Sequence, residues 1–543
     1  MVQSFASLLL LCILFALEVK GQEDAQIPLN SEGSGTDCHN ACRSLINVLG
    51  GKAHYQDMPP TLFVDYYSDQ QRETVPACVV LPDSAQDVSD AIKVITQYDC
   101  IFAVKSGGHA MFSGASNAPG GITLDLRNLN MLHISEDRKT TSIGPGNRWI
   151  DVYDYLDPFN VTVVGARDAQ VGEGSPSFLV AMDGVQTMST TMRRVEVSNL
   201  VLANGSISNI NQVANPDLYW ALRGGGKNFG VVTRFDVYNH VDTPMWGGCD
   251  LMLLSDVSER LSSLGIPRQF SWTPTDLIEK SLGAVTTLAC KLGYCVGFND
   301  VAGMLGEIGV EAETDIFAHA YGVICFFSIV QTYVLVGQMN HGKGLEGAPG
   351  FGTMHRAKKI WASDRIAKTT DFARELKSLN SARQRVSYET ATFKLDTDLM
   401  KEITNIYMEE TEKIRHLKGM VSALPMQIIT KAEIAHFQKN GGNCLGISPD
   451  DGPLMLLETT IAWKDPKDDE ITLQASKNIL GRSVALAKER GLWHPFLYQN
   501  YAGKRQPVFE SYGAKNLARL RSIRDEYDPD HVFTKLYPGY FNL

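Results

Sequence analysis

The stretch that most narrows the choice of fold is Val104-Lys105-Ser106-Gly107-Gly108-His109, together with its continuation to Asp125. Cys100 to Val104 is an apolar run with the length of a buried strand. Two glycines then let the backbone turn and come close to a ligand where a Cβ would intrude. His109 stands at the mouth of that turn, and a loop of Ser, Gly, Asn and Pro leads to a second strand, Gly121 to Leu126. Strand, glycine turn and strand suit a site where exposed N–H groups receive a phosphate or another anion.

A chain of 543 residues with 44% apolar content can bury a large core and divide into more than one domain. Its net charge of −11, with both signs dispersed, excludes nucleic acid and anionic membranes as expected partners. Met1 to Gly21 carries an apolar core, Leu8 to Leu17, too short to span a bilayer, and reads as a secretory signal. Removing it leaves nine cysteines, and in an oxidising compartment some should pair while the odd count leaves at least one free. Asn160-Val-Thr and Asn204-Gly-Ser are glycosylation acceptors if exposed, although Asn204-Gly also reads as a plain hairpin turn. No metal-ligand spacing is present, and no hydrolase element of the Gly-x-Ser-x-Gly or His-Glu-x-x-His type.

Along the chain, the spacing predicts helices over Cys38–Leu49, Ser84–Tyr98, Trp149–Leu156 and Asn516–Tyr527, and strands over Pro76–Leu81, Thr141–Gly146 and Val161–Gly165. Leu200 to Ile207 reads as a strand hairpin. In Asp217 to Gly230 a short helix ends on a run of glycines before a buried strand opens at Val231. Asp315 to Val336 is apolar enough to raise a membrane span, but its glycine, His319, Gln331 and β-branched residues favour two core strands of a large antiparallel sheet. Gly342-Lys-Gly344-Leu-Glu-Gly347 satisfies a dinucleotide fingerprint on paper, yet Pro349 comes where a helix must open, so it reads as a loop. Leu399 to Leu417 spaces acids and bases as a solvated helix face.

These motifs together resemble the berberine-bridge-enzyme-like branch of the vanillyl-alcohol-oxidase, PCMH-type FAD-binding superfamily, in its fungal-type secreted form. The resemblance covers Pro76 to Val237, through Ser106-Gly-Gly-His109 and Asp217 to Gly230, and returns at Tyr498 to Leu543 through Tyr498-Gln-Asn500-Tyr501. It implies an α+β fold, a two-subdomain FAD-binding domain plus a substrate domain whose large antiparallel sheet is backed by helices. The implied division is a signal at 1–21, an N-terminal segment 22–71, the FAD domain 72–242, the substrate domain 243–485 and a returning segment 486–543. It further implies FAD bonded to His109, a bridge from Cys38 or Cys42 to Cys100, and an oxidase that moves a hydride from a small organic substrate to flavin, with O2 as electron acceptor. The cofactor-binding residues so implied are Lys105, Ser106, Gly107, Gly108, His109, Gly172, Gly174, Gly230, Val231, Asn500 and Tyr501. Tyr498 is the expected catalytic base or substrate anchor, and Lys105 could equally be a solvated strand end. The chain departs from the family between Glu173 and Arg194, where glycines and an Asp-Asn pair are replaced and the cysteine of bicovalent members is missing. A single covalent link is therefore implied. A dehydrogenase with another acceptor, or a chain whose altered loop no longer holds FAD, are the alternatives.

Overall fold

In a computed structural model of the chain, residues 36–169, 171, 195–255, 290–291, 295–297, 300–379 and 384–543 are described. The expected signal and the readings on Gly172, Gly174 and the rest of 172–194 lie outside the described residues.

The first sheet has the order β1-β2-β4-β3, with β1 (Ala53–Tyr55), β2 (Cys78–Val80), β3 (Phe102–Lys105) and β4 (Ile122–Asp125). Strand β4 lies parallel to both β2 and β3, and the turn after β3 carries Ser106 to His109. Helix α1 (Thr36–Leu49) is fastened to this sheet by Cys38–Cys100 and Cys42–Cys78, so the first alternative for Cys100 is the one adopted. Helix α2 (Ala85–Gln97) buries Val88, Ile92 and Ile95 at helical spacing, and Ser84 caps it by accepting from the Asp87 amide at 3.1 Å.

The second sheet runs β5-β6-β9-β7-β8, from β5 (Leu132–Ile134), β6 (Thr140–Ile143), β7 (Val195–Val201), β8 (Ile207–Ile210) and β9 (Val231–Tyr238). Helix α3 (Trp149–Leu156) and helix α4 (Pro216–Leu222) pack into the same core. Gly230 opens β9 at φ 155°, and a Cβ there would stand 2.6 Å from the Val201 carbonyl oxygen.

The third sheet has ten strands. Its main path is β11-β10-β13-β12-β15-β16-β14-β17, from β10 (Met245–Ser255), β11 (Cys295–Gly297), β12 (Ala318–Phe327), β13 (Thr332–His341), β14 (Arg385–Lys394), β15 (Val421–Ile429), β16 (Leu454–Trp463) and β17 (Trp493–His494). The apolar run at 315–336 therefore resolves into two antiparallel core strands, and no helix among the described residues is long and apolar enough to cross a membrane. Cys290 and Cys295 form a third disulfide, and Cys249, Cys325 and Cys444 are buried thiols.

Period-two alternation divides this sheet into two faces. Met252, Ile324, Leu335, Leu424 and Leu457 point one way, into a core shared with α5 (Asp300–Glu311), α6 (Thr397–Ile414) and α7 (Asp469–Glu489). The α6 charges are one side of an amphipathic helix whose other side buries Leu399, Ile403 and Tyr407. The opposite face of the sheet looks toward the His109 loop.

The C-terminal segment returns across the first two sheets. Helix α8 (Ala514–Tyr527) comes after a turn at Gln499–Tyr501, and the Phe102 amide donates to the Leu536 carbonyl at 2.7 Å. Tyr498, Asn500 and Tyr501 sit on a 3₁₀ turn closed by the Tyr501 amide on the Tyr498 carbonyl at 3.0 Å. That turn brings the three side chains together, where a strand would have sent alternate ones apart.

Candidate active site

One cavity of about 600 Å³ opens between the His109 loop and the free face of the third sheet. Ser106, Gly107, Gly108 and His109 line it from one side, with Gly230 and Val231 beside them and Tyr498, Asn500 and Tyr501 at its edge. Nine residues singled out from the sequence thus meet in one cavity, although they come from three separate stretches of the chain.

Gly108 takes φ +68°, and a Cβ on it would lie 2.5 Å from the Asp65 carbonyl oxygen, so the turn admits glycine alone without rearrangement. Ser106 Oγ donates to the Pro145 carbonyl at 2.5 Å and pins the start of the turn. His109 is held by Tyr67, whose ring stacks on the imidazole with centroids 4.5 Å apart and planes inclined by 21°. Burial lowers the His109 pKa; Asp168 opposes that and Arg148 adds to it, so the imidazole is neutral at neutral pH.

Lys105 does not join the cavity. It is neither a solvated strand end nor a wall residue: the side chain is 2% exposed and its Nζ lies 3.3 Å from Asp125 Oδ2, under the ring of Tyr66. Burial pulls its pKa down while Asp125 pulls it up. Its parallel neighbour on β4 supplies the counter-charge, because Lys105 and Asp125 are register partners.

Tyr498 is buried and its hydroxyl accepts from Asn500 Nδ2 at 2.8 Å. Tyr501 stands edge-on to it at 4.9 Å and its hydroxyl accepts from Arg167 at 3.1 Å. The Arg167 guanidinium also covers the ring of Tyr321 on β12 at 4.3 Å, joining the C-terminal turn to the third sheet.

Four functional candidates around the cavity were missed by sequence reasoning. Glu458 on β16 is 6% exposed, lines the cavity, and accepts from Thr460 Oγ1 at 2.6 Å. Burial pushes its carboxyl up to about 7, against the opposing pull of Thr460 and Arg167. Tyr388 on β14 lies across from Thr460 in the register, and its hydroxyl is 3.2 Å from that of Tyr67. The signal for Glu458 was present: it is the only charge in the apolar run Leu454 to Trp463. Arg167, Tyr388 and Tyr67 carry no such signal, because each acquires its role only by meeting a residue far away in the chain.

Two family models match the chain, the FAD binding domain over residues 76–211 and the domain named berberine and berberine like over 497–535. The FAD-dependent monooxygenase FUP4 of Fusarium proliferatum is 35% identical over 485 residues, 87% of this chain and 86% of its own length. The chain belongs to the berberine-bridge-enzyme-like family of FAD-linked oxidoreductases. The FAD-dependent monooxygenase tpcD of Cochliobolus heterostrophus is 34% identical, over 92% of this chain and 93% of its own length. Among solved structures, the xylooligosaccharide oxidase of Myceliophthora thermophila, in complex with xylobiose, superimposes with a TM-score of 0.68 at 16% identity, covering 92% of this chain and 99% of that one. The glucooligosaccharide oxidase of Acremonium strictum, described with a 6-S-cysteinyl, 8α-N1-histidyl FAD, gives 0.62 at 15% identity over 93% of this chain and 98% of that one. Berberine-bridge-like architecture accounts for both halves of the molecule, the glycine-turn domain and the broad antiparallel sheet facing it.

Proposed function

We propose that this FAD-linked oxidoreductase is an oxidase that holds its flavin through one bond to His109, takes a hydride from a small organic substrate, uses Glu458 as the base, and passes the electrons to O2. The observation that carries this reading is that His109 and the buried carboxyl of Glu458 line the same cavity, one from each wall. A neutral imidazole has the free lone pair that a bond to the flavin 8α carbon requires. The backbone of Ser106 to Gly108, with Gly230 and Val231, is bare enough to pass close to a flat cofactor.

Bound there, FAD supplies a two-electron acceptor for hydride. Glu458, ionised above pH 7, takes the proton from a substrate hydroxyl as the neighbouring C–H is lost. Thr460 keeps that carboxylate oriented. Tyr498, whose hydroxyl is fixed by Asn500, serves as an anchor for the substrate rather than as the base. The oxidases among the structural neighbours, one of them described with a histidyl-linked FAD, support the same reading by fold analogy.

The mature protein, in this reading, is secreted, begins near residue 22, and is glycosylated at Asn160 and Asn204, both of which are exposed. Its domains divide at 72–242, 243–485 and 486–543.

The test is an absorbance spectrum on purified protein before and after acid precipitation, with His109→Ala beside the wild type. Flavin absorbance that stays in the wild-type pellet and leaves the variant's is the expected result. A colourless wild type, or flavin released equally from both, overturns the covalent link. Hydrogen peroxide formed one-for-one with substrate supports the oxidase reading, and oxygen appearing in the product favours the monooxygenase activity that the relatives' names carry.

A further inference from the structure

The register of the third sheet lays out the wall that a substrate would meet. On the face toward the cavity, Leu251, Val336, Val323, Pro425 and Glu458 form one row across β10, β13, β12, β15 and β16, through direct ladder partners as far as Pro425. The next row has Val334, Cys325, Ala423, Thr460 and Tyr388. Beyond it stand Phe327, Val421 and Ala462. Val323, Val336, Val421, Ala423 and Ala462 are partly open on a face whose alternate positions are sealed in the helix-backed core.

This wall is polarised. From β10 to β15 these rows offer side chains without hydrogen-bonding oxygen or nitrogen, and the backbone groups beneath them are spent in the sheet ladders. On these rows the polar side chains gather on β16 and β14, as Glu458, Thr460 and Tyr388, while the adjacent row carries Tyr321, which Arg167 covers, and Gln427. A sugar ring carries hydroxyls around its whole perimeter. Laid on Val323, Ala423 and Val421, those hydroxyls would lose water without gaining a partner there. An apolar ring on the same residues is stabilised in proportion to the area it covers.

We infer that the substrate is a largely apolar ring compound with a hydroxyl at its reacting end, and that oligosaccharides are excluded. This rests on the flavin reading of the site. The hydroxyl meets Glu458 and Thr460 while the ring lies on the aliphatic block of β12, β13 and β15. In the reaction the O–H proton passes to Glu458 and the hydride of the carbinol C–H passes to flavin. The substrate thereby loses two electrons and two protons and becomes a ketone. O2 takes up both electrons and both protons as hydrogen peroxide. Such a substrate separates this chain from the xylooligosaccharide and glucooligosaccharide oxidases whose fold it shares.

The experiment is calorimetric binding to the purified holoprotein. The probes are 2-naphthol, a two-ring phenol with no sp³ C–H to oxidise, and xylobiose. 2-Naphthol should bind, and xylobiose should neither bind nor bleach the flavin. The double variant Val323→Thr/Val421→Thr keeps side-chain shape while adding two hydroxyls to the wall, and should weaken 2-naphthol roughly tenfold. Tyr155→Phe, a change away from this wall, should bind like the wild type. Xylobiose binding or flavin bleaching by it overturns the inference, as does 2-naphthol affinity unchanged in the double variant. Loss of flavin from the wild type would count against the His109 reading alone, because the calorimetric comparison does not depend on turnover.

Discussion

Glu458 shows what burial does to one carboxyl. Free in water the group ionises near 4, and a base of that strength is too weak to draw a proton from a hydroxyl at neutral pH. Inside the sheet the charged form loses its water, and the carboxyl rises to about 7. Thr460 and Arg167 return part of that loss, which leaves the group poised where base strength and ionised fraction are both useful. Below about 7 the carboxyl is protonated and idle, and above it the base is present. kcat/KM should therefore climb through a limb near pH 7. Glu458→Gln should remove that limb and lower kcat by roughly 10²–10⁴, the usual weight of a general base. Flavin retained by acid-precipitated protein should be unchanged, which separates lost chemistry from a lost cofactor. A wild-type profile flat from pH 5 to 9 would remove Glu458 from the role.

At the scale of elements, the short segment from Tyr67 to Glu73 joins two walls that otherwise belong to different sheets. Toward the flavin side, the Tyr67 amide donates to the Gly108 carbonyl at 3.0 Å, its ring covers His109, and Ser68 Oγ donates to the Met111 carbonyl at 2.8 Å. Toward the substrate sheet, Gln70 exchanges two hydrogen bonds with Val386, and Arg385 reaches Glu73 at 2.6 Å. The Tyr67 hydroxyl meets Tyr388, and burial pushes its phenol up to about 12, so it remains a neutral hydrogen-bonding group. A stacked ring restricts how the imidazole can turn. Tyr67→Leu should slow covalent flavin attachment several-fold, measured as acid-precipitable flavin at fixed times after FAD is added to apoprotein. Tyr67→Phe keeps the ring and should attach flavin near the wild-type rate. Equal rates in all three proteins would show that the stack does nothing for attachment.

That segment also marks the limit of what sequence made visible. Helices α2 and α3 were legible to within a residue or two because their caps and apolar spacing are local. The glycine turn before His109 was legible because only glycine fits its backbone. The pairing of β12 with β13 could be foreseen as two core strands, but the ten-strand order could not, since β14 reaches its place only after β15 and β16 have been laid down between it and β12. Lys105 was illegible because its partner Asp125 lies on a neighbouring strand, and a lysine at a strand end gives no sign of a buried counter-ion.

At the scale of the whole molecule, the chain is closed by its own end. Lys227, in the glycine-rich signature after α4, is buried and donates to the Phe533 and Tyr537 carbonyls and to Asn542 Oδ1 at 2.5–2.6 Å. Burial drives its pKa down and Asp528 opposes that, while the three oxygen acceptors favour the charged form. Asn228 adds bonds to the Phe541 carbonyl and from the Leu543 amide. Lys227→Met should leave those carbonyls buried without a donor and cost about 2–3 kcal/mol in denaturant unfolding, with the cavity's flavin loosened as the tail detaches. A midpoint within experimental error of wild type would show that the tail is held by its apolar contacts alone.

The other closure is covalent. Cys38–Cys100 spans 62 residues and fastens α1 to the strand that ends at the His109 turn. In the chain-entropy picture a loop of that length is stabilised by about 4 kcal/mol. Disulfides of this kind persist where the compartment is oxidising, as the proposed secretion would require. Thiol counting tests both points together. Ten cysteines less six in disulfides leaves four thiols, of which Cys249, Cys325 and Cys444 are buried in the fold and Cys12 lies in the expected signal. Protein exported by a eukaryotic host and unfolded without reductant should therefore titrate as three thiols, and its intact mass should start near residue 22. Four thiols would mean that the N-terminus is retained, and nine or ten would mean that the bridges never form and that α1 is held to its sheet by packing alone.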